Sequence, residues 1–105
     1  MSSVVDSVNN IPVRLTDERW MHIVENHNDL AGYYDKVLEA VANPKWIFQG
    51  YHDELWAILK INENKVLLVV YKEIKSENDG FIITAFFTSQ IKKLKRRKIT
   101  WTQKP

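Results

Sequence analysis

The spacing of apolar positions changes once along this chain, at Pro44. Before it, from residue 17 to residue 42, apolar side chains recur at the three- and four-residue interval of a helix; after it they come in short runs rich in Val, Ile, Phe, Trp and Tyr, which is strand composition. Thr16 predicts a helix N-cap, with Asp17 and Glu18 in the first turn, where carboxylates suit the helix dipole. That helix is expected to run to about Asp29. At about 100° per residue, Trp20, Ile23, Val24 and His27 share one stripe and His22 points away. A second helix is predicted over residues 34–42, with Val37, Leu38 and Val41 on one face. It stops at Asn43, because the residue before Pro44 is pushed out of helical geometry.

Four strands are predicted after Pro44, over residues 46–49, 55–61, 66–74 and 81–88. The connectors at 50–53, 62–64 and 76–80 are short and turn-forming, which predicts a meander of antiparallel hairpins. Residues 99–101 form either a short last strand or a docked tail. The expected fold is α+β: an N-terminal two-helix hairpin packed on a four-stranded antiparallel sheet. Alternation in the last of these strands sets Ile82, Thr84, Phe86 and Thr88 on one side and Phe81, Ile83, Ala85 and Phe87 on the other. Both sides are largely apolar, so either both are covered or one is an interface.

With 105 residues the chain has room for a single hydrophobic core, read as one domain over 1–105 with its core at about 11–91 and a basic tail at 92–105. The absence of cysteine excludes disulfides, thiolate metal sites and a cysteine nucleophile, and fits a reducing compartment. The first ten residues do not read as a signal peptide and no run is long enough to span a membrane, so the expected location is cytoplasmic, without membrane attachment. Charge is divided sharply. Residues 1–88 carry 8 Lys/Arg against 13 Asp/Glu, whereas residues 89–105 carry 7 against none. Lys92, Lys93, Lys95, Arg96, Arg97 and Lys98 form a cationic strip suited to phosphate, acidic protein or anionic lipid.

Several enzyme classes drop out on residue chemistry. His22 and His27 lie five apart and face different ways, whereas chelating helical pairs use four, so no metal or other cofactor is expected. Ser89 lacks the glycines of a nucleophile elbow, and three glycines in all leave no phosphate-cradling loop. What the chain does hold is the kit of RNA cleavage: a base for the 2′-hydroxyl proton, an acid for the leaving oxygen, and cations or donors for the phosphoryl oxygens. His27 is the first candidate, an imidazole where a helix normally places Leu or Ile. Lys60 and Lys72 lie on strands beside apolar neighbours, and Thr84 and Thr88 put hydroxyls into an apolar strand. Thr88 and Ser89 at the strand exit either bind phosphate or cap the segment after the strand. His22 is a lesser candidate for nucleic-acid contact, and His52 is expected exposed in a turn.

Four segments in order, residues 15–27 (LTDERWMHIVENH), 37–44 (VLEAVANP), 66–72 (VLLVVYK) and 81–88 (FIITAFFT), resemble the phage and bacterial nuclease domains of the barnase–EndoU–colicin–RelE-like (BECR) superfamily. The resemblance spans roughly residues 14–92. It implies a helical segment before an antiparallel sheet and metal-free RNA cleavage. His27 would match the motif histidine, Thr84 and Thr88 the strand hydroxyls, and Lys60 and Lys72 the basic strand positions. The motif histidine is usually followed by proline and glutamate, here by Asn28 and Asp29. The resemblance further implies a growth-inhibiting toxin acting on tRNA or mRNA, free-standing beside a cognate antitoxin or immunity protein.

Two other classes compete. A non-catalytic nucleic-acid-binding module would use the four tryptophans and four tyrosines as stacking platforms beside the cationic strip. An immunity-like or antitoxin-like subunit would turn its acidic body to a basic partner.

Overall fold

The computed structural model describes residues 2–104. Its centre is a seven-stranded mixed sheet in the order β1-β2-β6-β5-β4-β3-β7. The strands are β1 (Ser2–Asp6), β2 (Pro12–Thr16), β3 (Trp46–Gln49), β4 (Leu55–Asn62), β5 (Lys65–Ile74), β6 (Asp79–Thr88) and β7 (Ile99–Thr102). The helices are α1 (Asp17–Asn26), α2 (Tyr34–Ala42) and the single turn α3 (Ile91–Leu94). This corrects the expected two-helix hairpin on a four-stranded antiparallel sheet. Two strands precede the helices, β2 runs parallel to β6, and a third helical turn lies near the C-terminal end. The meander over residues 46–88 is present as predicted, with β3, β4, β5 and β6 antiparallel in succession.

The N-terminal strands have a physical basis that helix signals obscured. Val13 and Leu15 are fully buried while Arg14 between them is not, a period of two directly before the helix cap. Pro12 opens its strand, the position where a missing N–H costs least. The β1–β2 hairpin is fixed by Ser7, whose hydroxyl accepts from the Asn9 and Ile11 N–H groups and donates to Glu73 on β5. β2 reaches β6 only at Val13 opposite Gly80 and Arg14 opposite Phe81. A Cβ at Gly80 would lie 2.7 Å from the Lys72 carbonyl oxygen and 3.1 Å from Val13 Cγ2, so the seam needs glycine.

Both faces of the sheet are covered. Ile23, Val37, Ala40 and Val41 of α1 and α2 pack with Leu30 on Val13, Leu15, Ala57, Leu67, Val69, Tyr71, Ile82 and Ala85. The second face gathers Phe48, Ile58, Val66, Leu68 and Val70 under Leu94 and Ile91 of α3. Pairing of β5 with β6 slips between Val70 and Tyr71, leaving Ile83 as an extra residue. That bulge corrects the predicted alternation: Ile82 joins Ala85 and Phe87 on the helix side, and Ile83 joins Phe86 on the other. β7 pairs with β3, which decides residues 99–101 in favour of a strand.

Candidate functional site

α1 begins as predicted, with the Thr16 hydroxyl accepting from the Arg19 N–H. It ends earlier than predicted. His27 is the C-cap, at φ −137° and ψ 73°, and residues Asn28–Leu30 form a separate 3-10 turn rather than continuing to Asp29. The His27 N–H still donates to the Ile23 carbonyl at 2.8 Å, and its own carbonyl accepts from Leu30 at 3.0 Å. Its backbone is therefore held on both sides while its half-buried ring leaves the helical stripe. That ring lies against Phe86 of β6, with centroids 5.7 Å apart. His22 is exposed on the far side beside Asn26, and His52 is exposed in the β3–β4 turn.

Phe86 belongs to the second face, where register builds three rows. Lys60, Val66 and Thr88 form one, Ile58, Leu68 and Phe86 the next, and Trp56, Val70 and Thr84 the third. Thr84 and Thr88 thus share a face as predicted, with Phe86 between them. Lys60 lies in the row of Thr88, at the exposed end of its strand. Lys72 lies six residues beyond Val66 on β5, roughly 20 Å along the strand, opposite Phe81. The predicted pair of strand lysines is not brought to one place.

A hollow of about 610 Å³ opens on this face between the sheet and the segment after β6. Phe86, Leu68, Trp56, Tyr51, Gln49 and Thr88 wall it from the sheet side. From the other side come Gln90, Lys93, Leu94, Arg96, Arg97 and Lys98, so four cations line it and no carboxylate does. The basic run is therefore not a loose tail. Leu94 is buried, Lys95 Nζ sits 4.9 Å from the Trp46 ring centre, and the Lys98 carbonyl accepts from the Gln49 N–H. Lys92 and Lys95 stand outside the hollow, and Ser89 is exposed. The Thr88 hydroxyl accepts from the Gln90 N–H at 3.1 Å within the turn that leads to α3, whose N-cap is Gln90 with no side-chain capping bond.

Reading the sequence missed Tyr51, Trp56, Gln49 and Gln90 as lining residues. The available signal was the pairing of aromatic count with the cationic strip, but the partner of that strip is the β3–β4 hairpin, far away in sequence. His52 and Asp53 adopt positive φ (52° and 66°), and the Glu54 N–H donates to the Tyr51 carbonyl, which closes a tight hairpin turn without glycine at its centre. Among the described residues no group of three or more His, Asp or Glu is arranged to hold a metal ion, and no helix is long and apolar enough to cross a membrane. Comparison with known proteins finds no matching family model, no matching curated protein and no matching solved structure.

Proposed function

We propose that the chain is a metal-independent endoribonuclease that takes single-stranded RNA on the second face of its sheet, acting in the cytoplasm as a toxin restrained by an antitoxin. One observation carries the reading: Phe86 walls the cationic hollow and also touches the His27 ring, so an imidazole stands one side chain away from a surface lined by four cations. Aromatic rings beside cations suit the bases and backbone of a single strand. In the reaction a 2′-oxygen–phosphorus bond forms and the phosphorus–5′-oxygen bond breaks. His27 takes the 2′-proton, water protonates the leaving oxygen, and the lining cations balance the charge that grows on the phosphoryl oxygens. The toxin role rests on the resemblance of the motif order to that of BECR nucleases.

The test is cleavage of labelled tRNA and mixed-sequence single-stranded RNA in excess chelator, natural protein against His27→Ala at equal folded concentration. Products with 2′,3′-cyclic phosphate ends, reduced about 100-fold or more by the substitution, are expected from the loss of a general acid–base group. Equal cleavage by both proteins would remove His27 from the chemistry. A second reading has its own support, since no His, Asp or Glu lines the hollow itself. Tight RNA retention without turnover by either protein would make this a binding module.

A further inference from the structure

Of the four cations in the hollow, Arg97 alone is locked in place. Its Cζ lies 4.4 Å from the Tyr51 ring centre and 4.5 Å from that of Trp56, two rings set nearly edge to face, 73° apart. Its Nε donates to the Gln49 carbonyl at 2.7 Å. Gln49 is itself held, its N–H on the Lys98 carbonyl and its side-chain amide on the Glu54 carbonyl. The guanidinium is thus fixed by one N–H and two aromatic faces. No carboxylate among the described residues pairs with it, and its two terminal nitrogens are uncommitted.

We propose that Arg97 is the phosphate fork of this face: it binds one phosphodiester of a single-stranded RNA through both terminal nitrogens and so fixes the strand's position, while Tyr51, Trp56 and Gln49 position the guanidinium. A guanidinium presents parallel donors that match two phosphate oxygens, and holding it beforehand reduces the ordering cost on binding. An ammonium at this position has the charge without the fork, and no flat surface for the rings to hold. The inference rests on RNA meeting this face and adds which group sets the register of the strand there.

The experiment is equilibrium binding of a labelled 2′-O-methyl RNA octamer, which cannot be cut, so that binding is read apart from catalysis. Arg97→Lys and Arg97→Ala are each expected to weaken binding about tenfold or more, the loss of a bidentate charged contact. Tyr51→Leu, which keeps the charge, is expected to weaken it in the same direction with the salt dependence unchanged. Lys36→Ala, which removes one charge from the helical face, should stay within about twofold of the natural protein. A second measurement needs no variant: on adding the octamer to the natural protein, the NMR signals of the Arg97 terminal nitrogens should shift while those of Arg14, paired with Asp79, hold still. Full affinity in Arg97→Lys, or silent Arg97 signals in a protein that has bound the octamer, overturns the fork and leaves the functional reading standing. A natural protein that binds no octamer overturns both.

Discussion

Tyr71 carries its hydroxyl into the core with no solvent exposure and with no hydrogen-bond partner among the described residues. Burial, and secondarily the charge of Glu73, push its ionisation well above the usual phenol range. An unsatisfied buried hydroxyl costs about 1–3 kcal/mol, so Tyr71→Phe, which keeps the ring, should raise stability by about 1 kcal/mol in urea unfolding at neutral pH. The pH behaviour has a definite sign. Because folding favours the neutral phenol, its contribution is complete below the unfolded value of about 10 and is lost as pH rises beyond it. Alkaline unfolding above about pH 10 should therefore be shallower in Tyr71→Phe. At this same scale the sequence was partly legible. Thr16 capped as predicted because its hydroxyl acts on its own neighbourhood, whereas the tilt of His27 out of the helix depends on a cap geometry that periodicity does not encode.

The β3–β4 hairpin is the element on which the hollow depends. A Cβ at Gly50 would fall 2.3 Å from Trp56 Nε1 and 2.7 Å from its Cδ1, so Gly50→Ala must displace the indole that holds Arg97. Such overpacking costs about 1–3 kcal/mol. The expected result is a lower unfolding midpoint together with weakened binding of the uncleavable octamer. A displaced indole with binding intact would separate Trp56 from the site. Strands 3 to 6 of the sheet were legible from their runs of β-branched and aromatic residues and the second helix from its three- and four-residue spacing, each bounded by Pro44 or a turn. The bulge at Ile83 was not, since one extra residue inverts the alternation without altering composition. β1 and β2 were obscured for another reason: five-residue strands offer little periodicity, and the residues closing β2 are those that announce α1. The hollow was half legible, its cations plain in the run and its aromatic wall assembled only by tertiary pairing.

On the scale of the whole molecule, charge is sorted between the two faces. The helical segment, residues 17–42, holds six Asp/Glu against two Lys/Arg, while the opposite face presents the cations of the hollow. If the four lining cations each neutralise a phosphate, the logarithmic affinity for a single strand should fall with the logarithm of salt at a slope of about −3. A slope near zero in octamer titrations across salt concentrations would place the strand off this face. The seam between β2 and β6 has its own consequence. β2 leaves after two register pairs to become α1, so residues 82–88 of β6, paired with β5 on one side, have no strand on their other side among the described residues. Bare strand borders recruit other chains and nucleate aggregates. Here the end of α1 folds over that border, with the His27 ring set on Phe86. The His27 ring thereby covers part of that border, and His27→Ala is expected to self-associate more than the natural protein, as read by sedimentation at equal concentration.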